Sequence, residues 1–284
     1  MSEERRSIER EVELDATPAE VWKALTDADE LTRWFPLHSE VKPGVNGFVR
    51  LHWDDVWDGH CPIEIWEPNR HLRTRWFEKA QPFETAAAPE TPIAVDYFIE
   101  SRTGGGAMLR VVTSGFSNDE SWDDLYDSMK RGWTYELRSL QRYLQHHKGE
   151  DRTVAWSRRR IEVSMEDAWR RLTGPNFLNL PGEAVGAAEG TPLAFSDALG
   201  DRYDGKLEVM SPPRDFAMLA ASHNNGMLRL HLDQWTHDGG RPFVEVFLWL
   251  AMYGVDASVA AAVERRWNDR MKKVFPEASI TVGA

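Results

Sequence analysis

VELDATPAEVWKALT (Val12–Thr26) and RIEVSMEDAWRRLT (Arg160–Thr173) decide the fold, because they are one pattern written twice. Trp22 aligns with Trp169, Leu25 with Leu172 and Thr26 with Thr173, and upstream Leu14 aligns with Ile161 and Ala16 with Val163, all at an offset of 147 residues. In each copy a short strand-like segment ends at a helix N-cap signal, Thr17-Pro18 or Ser164, with Glu20 or Asp167 three residues past the cap. Val21, Trp22 and Leu25 then fall on one face of the helix that follows.

Two further matches keep the same order. GHCPIEIWEPNRHL from Gly59 parallels GKLEVMSPPRDF from Gly205, so that Pro68 aligns with Pro212, Arg70 with Arg214 and Leu72 with Phe216. KRGWTYELRSL around Trp133 parallels ERRWNDRMKKV around Trp267. The seam falls in the polar stretch QHHKGEDRT near Gly149, which predicts domains at residues 1–149 and 150–284.

Between these markers the first half carries a short helix at Glu30–Phe35. Strand-like segments follow at Phe48–Trp53, Cys61–Trp66, His71–Phe77, Ile93–Glu100 and Met108–Thr113, separated by Gly, Pro and Asn. It closes on a long helix from about Ser121 to His147, with Trp122, Leu125, Met129, Trp133, Leu137, Leu140 and Leu144 on one stripe. The second half closes in the same way, from about Ala257 to Phe275. The predicted class is α+β: two tandem domains, each a curved antiparallel sheet wrapped around a long C-terminal helix.

A chain of 284 residues is long enough for two such cores. Thirteen tryptophans require large cores or lined pockets. The formal net charge of −12 argues against nucleic acid and anionic membrane surfaces as partners. Cys61 is the single cysteine, so no internal disulfide or CxxC metal pair can form. The opening MSEERRSIEREVELDA has no apolar signal core, and no run of about 18 apolar residues occurs. These features together predict a cytoplasmic protein.

The order of elements resembles the helix-grip fold of the START-like (SRPBCC) superfamily. The first half more specifically resembles the family related to the C-terminal domain of the activator of the 90-kDa heat-shock protein ATPase. The residues carrying this resemblance are ATPAEVWKALTDADELTRWF, GHCPIEIWEPNRHLRTRW, GGGAMLRVVTSGF and GWTYELRSLQRYL, spanning most of residues 7–148. The second half is more divergent, with GPNFLNLPG in place of LTRWF and no counterpart of the GGG or TSGF segments. The resemblance implies a fold and a cavity. It does not imply one activity, since members include binding proteins, cyclases and chaperone regulators.

Strand alternation groups Val49, Leu51 and Trp53; Leu72, Thr74 and Trp76; Val95, Tyr97 and Ile99; and Leu109, Val111 and Thr113 on faces expected to meet the closing helix. Ligand-binding candidates are therefore Trp34, Phe35, Trp53, Trp76, Tyr97, Thr113, Trp133 and Leu137, with Thr113 or the Tyr97 hydroxyl as polar anchor. The expected ligand is an apolar, aromatic or polycyclic small molecule, carried, sequestered or sensed.

Two alternatives stand beside it. One is a cavity enzyme of cyclase or dehydratase type, for which His52, Asp54 and Glu64 are the visible candidates. The other is a chaperone-directed interaction module, weakened by the missing N-terminal domain of the eukaryotic activator. The cluster His52-Trp-Asp54-Asp55-Val-Trp57-Asp58-Gly-His60 has the composition of a metal or proton-transfer site but also of an acidic turn, and the turn is the expectation. His38 is expected at the surface, His146 and His147 as helix-end residues, Arg158-Arg159-Arg160 as edge or solvent charges, and Cys61 as a buried inert thiol. No metal, cofactor or catalytic set is expected, and no Ser-His-Asp order, Walker loop or dinucleotide fingerprint occurs.

Overall fold

The computed structural model describes residues 5–54, 57–76, 93–236, 242–276 and 280–281, the last two by backbone alone. Asp55, Val56 and Phe77, which entered the sequence analysis, lie outside the described residues. The chain divides into two compact units, Met1–Glu150 and Asp151–Ala284.

The first unit runs β1 (Arg6–Leu14), α1 (Pro18–Thr26), α2 (Ala28–Thr32), β2 (His38–Lys42), β3 (Phe48–Trp53), β4 (Trp57–Glu67), β5 (His71–Trp76), β6 (Ile93–Ser101), β7 (Ala107–Phe116) and α3 (Asp123–His146). Its strands form one sheet in the order β1-β7-β6-β5-β4-β3-β2, and the pairings are antiparallel throughout. The chain thus meanders from β2 to β7 and closes on β1. A register shift between Ile63 and Ile65 marks an irregularity in β4, the kind of feature that lets a sheet bend.

The helix starts follow the sequence. The Thr17 hydroxyl accepts from the Glu20 N–H while the Glu20 carboxylate accepts from the Thr17 N–H, the reciprocal capping box read from the sequence. The second short helix ends earlier than expected, at Thr32, because Arg33 to Phe35 continue as turns and a bend. The closing helix turns Leu125, Trp133, Leu137, Leu140 and Leu144 inward. The alternating sets of the sheet meet it: Val95, Leu109 and Thr113 are fully buried, and Val49, Leu51, Leu72, Thr74, Val111 and Ile99 nearly so.

The second unit runs β8 (Arg152–Ile161), α4 (Met165–Thr173), β9 (Pro192–Ser196), β10 (Arg202–Ser211), β11 (Asp215–Ala220), β12 (Gly226–Thr236), β13 (Pro242–Tyr253), α5 (Ala257–Val274) and β14 (Ile280–Thr281). The sheet order is β14-β8-β13-β12-β11-β10-β9. The pattern of the first unit recurs without one strand between helix and meander, and β14 is added at the other edge. Each unit is therefore an α+β helix-grip domain.

The aligned glycines Gly59 and Gly205 are both sterically required, for different reasons. A Cβ on Gly59 would fall 2.0 Å from the Trp57 ring, and one on Gly205 would fall 1.8 Å from the Leu219 carbonyl oxygen.

The arginine run departs from expectation. Arg158 and Arg159 are buried, because β8 is flanked by β13 and β14 and is not an edge. Arg158 and Arg160 both pair with the buried carboxylate of Glu245 on β13, Arg160 at 3.0 Å. Arg159 points to the opposite face and donates to the Asn268 carbonyl on α5. A charge this deep is tolerable only with such partners.

Candidate functional site

The interior of the first domain is a chain of aromatic rings between sheet and closing helix. Phe35, just past α2, stands at its centre. It stacks on Trp34 at 4.9 Å between centroids, lies near-parallel to Trp133 at 5.9 Å and to Trp76 at 6.2 Å, and meets Trp53 edge-on at 5.1 Å. Trp133 also contacts Trp76 at 5.8 Å and Tyr97 edge-on at 6.0 Å. The structure thus gathers Trp34, Phe35, Trp53, Trp76, Tyr97 and Trp133 into one cluster. Leu137 is buried along the same helix stripe.

The sequence analysis missed one member. Trp57 joins Trp53 at 5.5 Å to Trp76 at 5.3 Å, with its indole lying over Gly59. Its signal was present, since Trp57, Gly59, Cys61 and Ile63 alternate, but the surrounding acidic residues made the segment read as a turn.

Trp133 Nε1 donates to Thr113 Oγ1 at 2.8 Å and Trp76 Nε1 to Thr74 Oγ1 at 3.1 Å, so both threonines already serve the rings. Burial raises the Tyr97 phenol well above its ordinary pKa and keeps it protonated. Burial likewise raises the Cys61 thiol, which makes it unreactive.

A cavity lies in this cluster, with Trp34, Phe35, Trp76 and Tyr97 in its wall beside Leu25, Leu31 and Leu72. Its volume is about 10 Å³, room for about one water. Among the described residues this cavity is smaller than a ligand in this arrangement, because the rings of Phe35, Trp76 and Trp133 interlock beside it. The remaining described residues of the wall are Val49, Leu51 and Thr74, so no carboxylate or imidazole faces in.

The enzyme candidates point elsewhere. Asp58 forms a two-pronged ion pair with Arg50, at 2.7 and 2.6 Å, and the guanidinium holds its carboxyl below the usual range. His52 lies 3.8 Å from Asp58 and His38 lies 3.5 Å from Asp54, all on partly exposed side chains. Glu64 pairs with Arg73 and Arg75 at 3.0 and 2.9 Å. Among the described residues no group of three His, Cys, Asp or Glu side chains is placed to hold a metal. No described helix is long and apolar enough to cross a membrane. His146 ends α3, whereas His147 is buried and bonded to Glu150 at 3.0 Å.

Residues 15–145 match the family model described as Activator of Hsp90 ATPase homolog 1-like protein. No curated protein matches the chain. Among solved structures, a Mesorhizobium loti protein is 24% identical over 49% of this chain and 97% of its own, with a TM-score of 0.43. The Aha1 dimer from Colwellia psychrerythraea is 17% identical over 51% of this chain and 99% of its own, with a TM-score of 0.41. The di-domain ARO/CYC BexL from the BE-7585A biosynthetic pathway is 12% identical over 98% of this chain and 100% of its own, with a TM-score of 0.44.

Proposed function

We propose, from the premise that residues 15–145 form an activator-of-Hsp90-ATPase-homologue-like domain of the SRPBCC superfamily, that this domain binds a flat, apolar aromatic small molecule in place of the Phe35 ring. One observation carries the reading. Phe35 is held by four other rings yet sits outside helix and strand, in the bend before Pro36. Its removal from the stack would leave a slot walled by Trp53, Trp76 and Trp133, and an aromatic ligand would recover the offset-stacked and edge contacts that Phe35 gives up. The absence of acid and base groups from the described wall favours holding a ligand over transforming it.

The test is titration of the full chain with the apolar fluorophore N-phenyl-1-naphthylamine, read by tryptophan quenching. Saturable quenching is expected. Phe35→Ala should strengthen it, since the slot is then open without displacement. Trp76→Ala should weaken it by about tenfold, which corresponds to ~1.4 kcal/mol, the order of one lost ring contact, and His52→Ala should leave it unchanged. Quenching that does not saturate, or that ignores both ring substitutions, would remove the basis for the reading.

A further inference from the structure

Four described residues in the cavity wall of the first domain carry a hydrogen-bonding side chain: Trp34, Thr74, Trp76 and Tyr97. Three of them are served within the wall. The Trp34 indole N–H donates to the Ala24 carbonyl at 2.9 Å, and the Trp76 N–H donates to Thr74 Oγ1 at 3.1 Å. Thr113, the other hydroxyl expected as an anchor, accepts from Trp133 and is not in the described wall.

Tyr97 differs from these. Its hydroxyl forms no hydrogen bond among the described residues, and what acts on its phenol is burial and, more weakly, the Cys61 sulfur. A buried donor without an acceptor carries a desolvation cost. The ring itself is held, since Trp133 meets it edge-on at 6.0 Å. Tyr97 on β6 pairs with Leu72 on β5, and Cys61 on β4 pairs with Val49 on β3. The influence of Cys61 places the hydroxyl end toward β4, so the phenol lies along the cavity floor between Leu72 and Val49, both wall residues.

The same wall offers no charge. None of its described residues is Lys, Arg, His, Asp or Glu. An ionised ligand would give up its hydration there without compensation.

We infer that the molecule taking the place of Phe35 is an uncharged aromatic carbonyl compound whose oxygen accepts from the Tyr97 hydroxyl. This rests on the displacement of Phe35 proposed above for the same site. A carbonyl oxygen brings lone pairs and no proton of its own, which complements a phenol that is kept protonated. The existing cavity of about 10 Å³ admits a group the size of a water. The oxygen enters there, while the rings of the ligand use the slot that Phe35 leaves. Ring stacking then sets affinity, and Tyr97 selects among flat molecules.

The experiment displaces N-phenyl-1-naphthylamine from the full chain with three matched probes: 2-acetylnaphthalene, 2-ethylnaphthalene and 2-naphthoate. The ketone should compete at about tenfold lower concentration than the hydrocarbon, and the carboxylate should compete least. Tyr97→Phe removes a hydroxyl without a partner among the described residues and should bring the ketone-to-hydrocarbon ratio to about one. The infrared carbonyl stretch of the ketone bound to the unaltered protein should lie below its value in a hydrocarbon solvent, a readout that does not depend on the variant folding. A ratio near one in the unaltered protein, a ratio that survives Tyr97→Phe, an unshifted carbonyl stretch, or 2-naphthoate competing as well as the ketone would each overturn the inference. If N-phenyl-1-naphthylamine binds saturably and the ketone and hydrocarbon compete equally, only the role of Tyr97 fails. If it does not bind saturably, the reading of the site fails as well.

Discussion

At the residue scale, what matters is where each buried polar atom finds its partner. Tyr143 donates its hydroxyl to Glu30 and accepts the Gly149 N–H at 3.0 Å, tying the end of the closing helix to α2. Tyr143→Phe leaves a buried carboxylate short of a donor and should cost roughly 1–3 kcal/mol in denaturant unfolding. The same logic applies to Trp133. Trp133→Phe should cost about 1 kcal/mol through loss of the bond to Thr113, and Trp133→Ala ~3–5 kcal/mol through the cavity as well. If Trp133→Phe proves cost-free, the bond to Thr113 has no energetic weight.

At the scale of elements, α1 is the part most directly encoded. Its capping box was visible as Thr17-x-x-Glu20, and Thr17→Ala should cost about 1 kcal/mol. Glu20 is brought down to about 2 by hydrogen bonds from the Lys148 ammonium and the Thr17 N–H, against a small opposing effect of burial. A depressed carboxylate contributes stability that is complete above its ordinary value of 4.5 and is lost as the pH falls toward about 2. Glu30 moves in the same direction: burial alone would raise it, but hydrogen bonds from Lys23 and Tyr143 outweigh that and leave it lowered. Acid titration followed by circular dichroism should therefore show the loss of helix beginning below pH 4.5, and Glu20→Gln should flatten that part of the curve. A curve unaltered by Glu20→Gln would show that the cap has no part in the acid transition. Strand alternation was equally legible and placed Val95, Tyr97 and Thr113 on the face they occupy. The arginines of β8 were not, because alternation assigns a residue to a face but does not say what covers that face.

At the scale of the whole molecule, the chain is two compact α+β units that share one order of elements. Residues 1–150, expressed alone, are expected to give a cooperative unfolding transition and a native-like near-ultraviolet circular dichroism spectrum, since this unit contains its own sheet and closing helix. A molten spectrum would mean that the first core requires residues beyond 150. The sequence by itself determined the repeat, the α+β class, the closing helices and the inward faces of the meander, because these depend on local period and on caps that act within a few residues. Only the tertiary structure decided that the described rings of the first domain pack on one another around a cavity of about 10 Å³, that Trp57 joins them, and that the Trp133 indole finds its acceptor in Thr113. Those outcomes depend on which side chains meet in three dimensions, many of them far apart along the chain, and periodicity fixes the direction a side chain points without fixing what it meets there.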